Sequence, residues 1–117
     1  MSKEIGSRVG VILSADENRI AYAGIGTYVG DFPPYGAGGM FAGFSNAEID
    51  QCGLTNPKIE LDDGNVAWGC ECWWVSETAY QKILDDGRER GATLVKMDMS
   101  TCREGWHGEL GAQEAGR

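Results

Sequence analysis

Apolar positions alternate with period two at the start of the chain. In Arg8–Ser14 (RVGVILS), Val9, Val11 and Leu13 share one face, which predicts a strand. Asp16 and Asn18 are turn formers. Arg19 to Tyr28 then returns with Ile20 and Tyr22 on one face, so the pair reads as a hairpin. From Gly24 to Gly43 the pattern changes. Glycine occupies positions 24, 26, 30, 36, 38, 39 and 43, with Tyr28, Phe32, Tyr35 and Phe41 between them. Pro33-Pro34 cannot continue a hydrogen-bonded ladder, so the second strand ends by Phe32 and the rest is a loop with aromatic anchors.

Ser45-Asn46-Ala47-Glu48 fits a capping box, opening a short helix that Gly53 can end in the left-handed conformation. Asn56-Pro57 forces an extended exit. Lys58–Leu61 reads as a strand, Asp62-Asp63-Gly64-Asn65 as a turn, and Val66–Val75 as the returning strand. Ser76 is placed to cap a helix whose apolar stripe is Ala79, Tyr80, Ile83 and Leu84, with Gly87 as its stop. Ala92–Met97 predicts a fifth strand. Asp98–Trp106 predicts a last short helix beginning near Ser100, and residues 108–117 a loose tail. The order β-β-α-β-β-α-β-α implies an α+β fold: one antiparallel sheet of about five strands, with short helices packed on one side or end. Residues 1–117 form a single domain.

Charge narrows the partners. Eighteen acidic against ten basic residues give a net charge of −8. Such a surface repels long nucleic acid and anionic lipid, while a small phosphorylated ligand in a local pocket stays open to it. No apolar run approaches a membrane span, and the polar MSKEIGSR start has no signal-peptide core, so a cytoplasmic protein is expected.

Candidate chemistry is sparse. Gly24-Ile25-Gly26-Thr27-Tyr28-Val29-Gly30 approximates a dinucleotide fingerprint but is one residue too long, and it runs into Asp-Phe-Pro-Pro rather than a helix. Its glycines instead predict close backbone approach or a bulge, or a place where a ligand or a second subunit touches the backbone. Read as a strand, Trp68–Trp74 puts Trp68, Cys70, Cys72 and Trp74 on one face, and Gly69, Glu71 and Trp73 on the other. Trp73 then serves an interface or stacks on a ligand. The cysteines, one Cys-x-Cys pair with Cys52 and Cys102 scattered, lack paired zinc knuckles, so no metal is expected. His107 is the sole histidine, without the orienting partners of a triad. Arg103 and His107, four residues apart, would share a helix face able to hold a phosphate. Asp62-Asp63 and Asp85-Asp86 both precede glycine and read as turn formers.

Three segments carry a resemblance. Arg8-Val9-Gly10-Val11, then Gly24 to Asp31 with Pro33-Pro34, and Asn56 to Asp62 running on to Trp68–Trp74 together resemble small phage and prophage proteins, in the same order over residues 8–74. Among characterised groups the chain is similar to the Thoeris anti-defence 1 family, phage sponges that sequester cyclic ADP-ribose-type immune signals without cleaving them. The resemblance implies an N-terminal antiparallel sheet, C-terminal helices, assembly into dimers or larger oligomers, and phosphate contacts from arginines of the last helix. This chain departs from that pattern: Arg103 stands alone there, with His107 where a second arginine is expected.

The expectation is thus a non-enzymatic, cofactor-free homo-oligomer that holds a small cyclic nucleotide at a subunit interface. Backbone amides near Gly26 and Gly30, with Arg103, would meet phosphate; Tyr28 or Trp73 would stack a base; Asn56 and His107 would complete the site. The rival expectation is an acidic protein–protein inhibitor or accessory factor steered by its charge, with no small ligand. A third, an enzyme using Cys102 with His107, has the least behind it.

Overall fold

The computed structural model describes residues 4–38 and 41–101. Its elements are β1 (Arg8–Ala15), β2 (Arg19–Phe32), α1 (Asn46–Cys52), β3 (Asn56–Leu61), β4 (Val66–Trp68), β5 (Trp73–Ser76), α2 (Glu77–Glu89) and β6 (Thr93–Lys96). The fold is α+β, built on one six-stranded sheet in the order β4-β3-β2-β1-β5, with β6 added beside β2.

Local chemistry sets the boundaries. The Asp16 carboxylate accepts from the Asn18 and Arg19 amides, each at 2.8 Å, and turns β1 into β2. Ser45 and Glu48 form the expected capping box, and Gly53 ends α1 at φ 62°. The Ser76 hydroxyl accepts from the Ala79 amide to start α2. Beyond β6, the Asp98 carboxylate accepts from the Ser100 and Thr101 amides and opens a helical turn. The rest of the predicted last helix, with Cys102, Arg103 and His107, lies outside the described residues.

Both faces of the sheet are buried. On one, Ile12 and Ile20 pack against Tyr80 and Leu84 of α2. On the other, Val9, Val11, Ala23, Ile59, Leu61, Ala67 and Met99 form a second core. A smaller cluster joins Trp68 to Ala37 and Phe41 of the Gly-rich loop. Burying apolar area in these three clusters is the main drive to fold.

Three expectations need correction. Val66–Val75 is not one strand. After Trp68 the chain makes a 3₁₀ turn, Gly69–Glu71, and resumes as β5 at the opposite edge of the sheet. Side-chain acceptors capture the amides here: Asn56 Oδ1 takes the Cys70 N–H at 2.8 Å, and the Glu71 carboxylate takes those of Trp68 at 2.8 Å and Gly38 at 2.6 Å. The expected alternation from Trp68 to Trp74 is therefore broken, and Glu71 is buried rather than paired with Trp73 on an outer face. Gly87 does not end α2, which runs two residues further. Gly87 is a packing position, because a Cβ there would collide with Ile20. Finally, β6 pairs parallel to the start of β2, from Arg19↔Thr93 to Tyr22↔Lys96, so the sheet is antiparallel except at that segment. The α2 helix is the crossover that a parallel join requires.

Candidate functional site

Strand β2 is long enough to bulge more than once. Its register against β3 slips between Tyr28 and Gly30, and Gly30 takes φ +117°, a conformation that glycine adopts without strain. Beyond this bulge, Gly30 pairs with Lys58 and Phe32 with Asn56. Lys58 in turn pairs with Trp68 of β4. Period-two geometry thus sets Phe32, Lys58 and Trp68 side by side at one end of the sheet.

Lys58 makes no ion pair among the described residues. Its ammonium lies 5.3 Å from the centre of the Phe32 ring and 6.0 Å from that of Trp68. Aromatic faces attract a cation without neutralising it. Trp68 is 6% exposed and forms the floor, while Phe32 at 42% and Ile5 at 73% are open to solvent. A Cβ on Gly30 would touch Ile5 at 3.4 Å and Phe32 at 3.5 Å, so the glycine lies between the two. The result is a shelf with an exposed ring, a cation and little side-chain bulk over the backbone. A planar base can stack on such a ring, and a phosphate can meet such an ammonium.

The structure distributes the expected site residues unevenly. Gly30, Tyr28 and Asn56 gather at this end of the sheet. Tyr28 is buried, stacks on Trp74 at 5.3 Å and donates its hydroxyl to Asp31 at 2.8 Å. That hydrogen bond, aided by burial, raises the phenol's pKa and keeps it neutral. Asn56 spends its carbonyl oxygen on the Cys70 amide, which braces the turn behind Trp68. Gly26 is an interior position, paired to Val9 on one side and Leu61 on the other. A Cβ there would come within 2.5 Å of the Glu60 carbonyl oxygen. Trp73 is 55% exposed but sits on β5, with β1 and β2 between it and β3. Arg103 and His107 fall outside the described residues. The cysteine thiols within them are engaged or distant: Cys70 and Cys72 donate to the Gly38 and Trp68 carbonyls, and Cys52 is exposed on α1. Burial pushes the Cys72 thiol up to about 12, aided by Glu71 and Cys70, far from a reactive thiolate.

Lys58 and Phe32, which form this shelf, are not among the candidate residues that the sequence singles out. A signal was available: Lys58 follows Pro57 and Phe32 precedes Pro33, so both stand next to a residue that cannot donate to a ladder. The partner Trp68 could not be assigned without the cross-strand register.

No family model matches the chain, and no solved structure matches it significantly. Two curated relatives share a partial stretch: L-fuculokinase of Escherichia coli strain K12 and L-fuculokinase of Escherichia coli O157:H7, each 37% identical over 76 residues. The match covers 59% of this chain and spans only 16% of the length of either kinase.

Proposed function

We propose that the protein binds a small phosphorylated nucleotide without transforming it, as a sequestering protein of the anti-defence type. The supporting observation is the Lys58 ammonium held between Phe32 and Trp68 with no carboxylate partner among the described residues. In a chain of net charge −8, an ammonium set over rings rather than paired with an acid attracts an anion that also offers a flat ring. A cyclic nucleotide has both parts. Arg103 and His107 would add phosphate contacts from the C-terminal segment, and a second copy of the chain would cover Trp73.

The test is calorimetry of the purified protein with cyclic ADP-ribose, followed by chromatography of the recovered ligand. Saturable binding with the nucleotide returned intact supports sequestration. Absence of binding, or a hydrolysed product, refutes it. A second reading, an acidic inhibitor that docks on a protein, is favoured by the exposure of Trp73 on an edge strand. Sedimentation separates the two arms: a monomer that binds no nucleotide leaves only the inhibitor.

A further inference from the structure

A second cleft lies away from the Lys58 shelf, where two strands meet end to end. Both β3 and β6 lie along the same long strand, β2. One is antiparallel to it and the other parallel, so their C-terminal ends converge on the same point. The last pairs are Gly26↔Leu61 and Tyr22↔Lys96, and between them β2 bulges at Gly24 with φ +115°. The gap is a cleft of about 260 Å³ floored by Ala23, Gly24 and Ile25. Asp62 and Asp63 stand on one wall, Lys96 on the other, and Tyr80 reaches in from α2.

Tyr80 is the informative residue. It is only 3% exposed, with its ring packed over Gly10, and its hydroxyl has no hydrogen-bond partner among the described residues. No buried side-chain oxygen or nitrogen among the described residues lacks a partner, so this hydroxyl reaches solvent, at the cleft that Tyr80 lines. Burial, with a smaller contribution from Tyr22, pushes this phenol up to about 12, so it stays a neutral O–H donor.

The charges around it are already compensated. Asp62 is held by Arg8, with Nη1 to Oδ1 at 2.9 Å. Asp63 is held by Lys96 at 3.2 Å and by the Asn65 amide at 2.9 Å. Such walls do not select an ion. They leave carboxylate lone pairs, an ammonium proton and a phenol to exchange hydrogen bonds with hydroxyl groups. Ile25 and the Lys96 methylenes that lie over Gly24 offer aliphatic C–H surface. The volume is below the roughly 300 Å³ at which pockets for drug-sized ligands begin, so the occupant is small.

We infer that this cleft is a binding site for a neutral polyhydroxylated molecule of monosaccharide size. Its hydroxyls donate to Asp62 and Asp63 and accept from Lys96 and Tyr80. The site is distinct from the nucleotide shelf and does not depend on it.

The test is a heteronuclear NMR titration of the full chain with a panel of hexoses and hexitols. Each is added to ~50 mM, enough to cover a millimolar Kd. At least one member of the panel should give saturable shifts at the amides of Gly24, Ile25, Asp62 and Asp63. Tyr80→Phe should weaken that ligand by about 3- to 10-fold while leaving the spectrum dispersed, since the hydroxyl has no protein partner to lose. Asp63→Asn, on an exposed turn, serves as a second variant and should weaken it likewise. The inference is overturned if no sugar or hexitol shifts these amides saturably. Binding equal to wild type in both variants overturns it too. Cyclic ADP-ribose added in parallel should shift Lys58 and leave Gly24 unmoved.

Discussion

Strand β2 carries a glycine bulge at Gly24 and another at Gly30, and a lysine stands beside each. Lys96 lies against Gly24, and Lys58 pairs opposite Gly30. The backbones are alike, with φ +115° and +117°. The surroundings are not. Lys96 is paired with Asp63 at 3.2 Å, in a cleft where each charge has its counterpart. Lys58 is flanked by Phe32 and Trp68, which polarise toward it but do not cancel it. The same local device, a bulge that opens the sheet, thus sets a charge-compensated lysine at one end and a ring-flanked one at the other, the basis for proposing a neutral ligand at the first and an anion at the second. The sorting is done by what faces the lysine across the strands, an acid in one case and rings in the other.

The largest effect should come from the floor of the Lys58 shelf. Trp68→Ala should cost ~3–5 kcal/mol, because Trp68 is 6% exposed and packs on Ala37 and Phe41. Trp73→Ala, at 55% exposure, should cost less than ~1 kcal/mol. Urea unfolding of both variants checks the pair, and equal losses would show that the two indoles are not differently packed. Next come the bulges themselves. Gly24→Ala and Gly30→Ala should each cost ~1–2 kcal/mol, since both put a side chain at positive φ. Similar losses by thermal melting would show that the bulges share a backbone and differ only in neighbours.

The ends should then diverge in binding. Lys58→Met should weaken cyclic ADP-ribose by about tenfold, whereas Lys96→Met should leave it unchanged, as read by calorimetry. An equal loss in both would erase the distinction. The smallest effect concerns acid. Burial raises the Asp63 pKa, but the Asn65 amide and Lys96 outweigh that and hold it below the ordinary 3.8. Arg8 lowers Asp62 in the same way. A carboxyl with a lowered folded-state pKa adds stability above its unfolded value and loses it as the pH falls through the folded value. Stability should therefore drop as pH falls below 3.8, and Asp63→Asn should flatten part of that slope.

Much of the scaffold was readable from local chemistry. The Asp16 turn, the Ser45–Glu48 box, the Gly53 and Ser76 caps and the end of β2 at Phe32 all rest on short-range rules and form as expected. The failures are long-range. The break at Gly69–Glu71 depends on the side chain of Asn56 and the amide of Gly38, far along the chain. Gly87 reads as a stop by local rules, but it is the close approach of Ile20 that calls for a glycine there. The parallel seat of β6 follows from α2 crossing the sheet, which periodicity cannot show. At the site, Gly30 was foreseen as a place of backbone approach. Tyr28 and Asn56 are expected only as ligand contacts; in the fold the Tyr28 hydroxyl donates to Asp31, and the Asn56 Oδ1 accepts from the Cys70 amide. Lys58 escaped notice because its meaning lies in two rings that only the strand register brings to it.

The central proposal is that the Lys58 shelf receives an anion and a base. Amide chemical shifts of the full chain, followed during titration with cyclic ADP-ribose, test it most directly. Saturable shifts should centre on Gly30, Phe32, Lys58 and Trp68 and weaken about tenfold in Lys58→Met. Shifts confined to other residues, or an unchanged affinity in Lys58→Met, would contradict it.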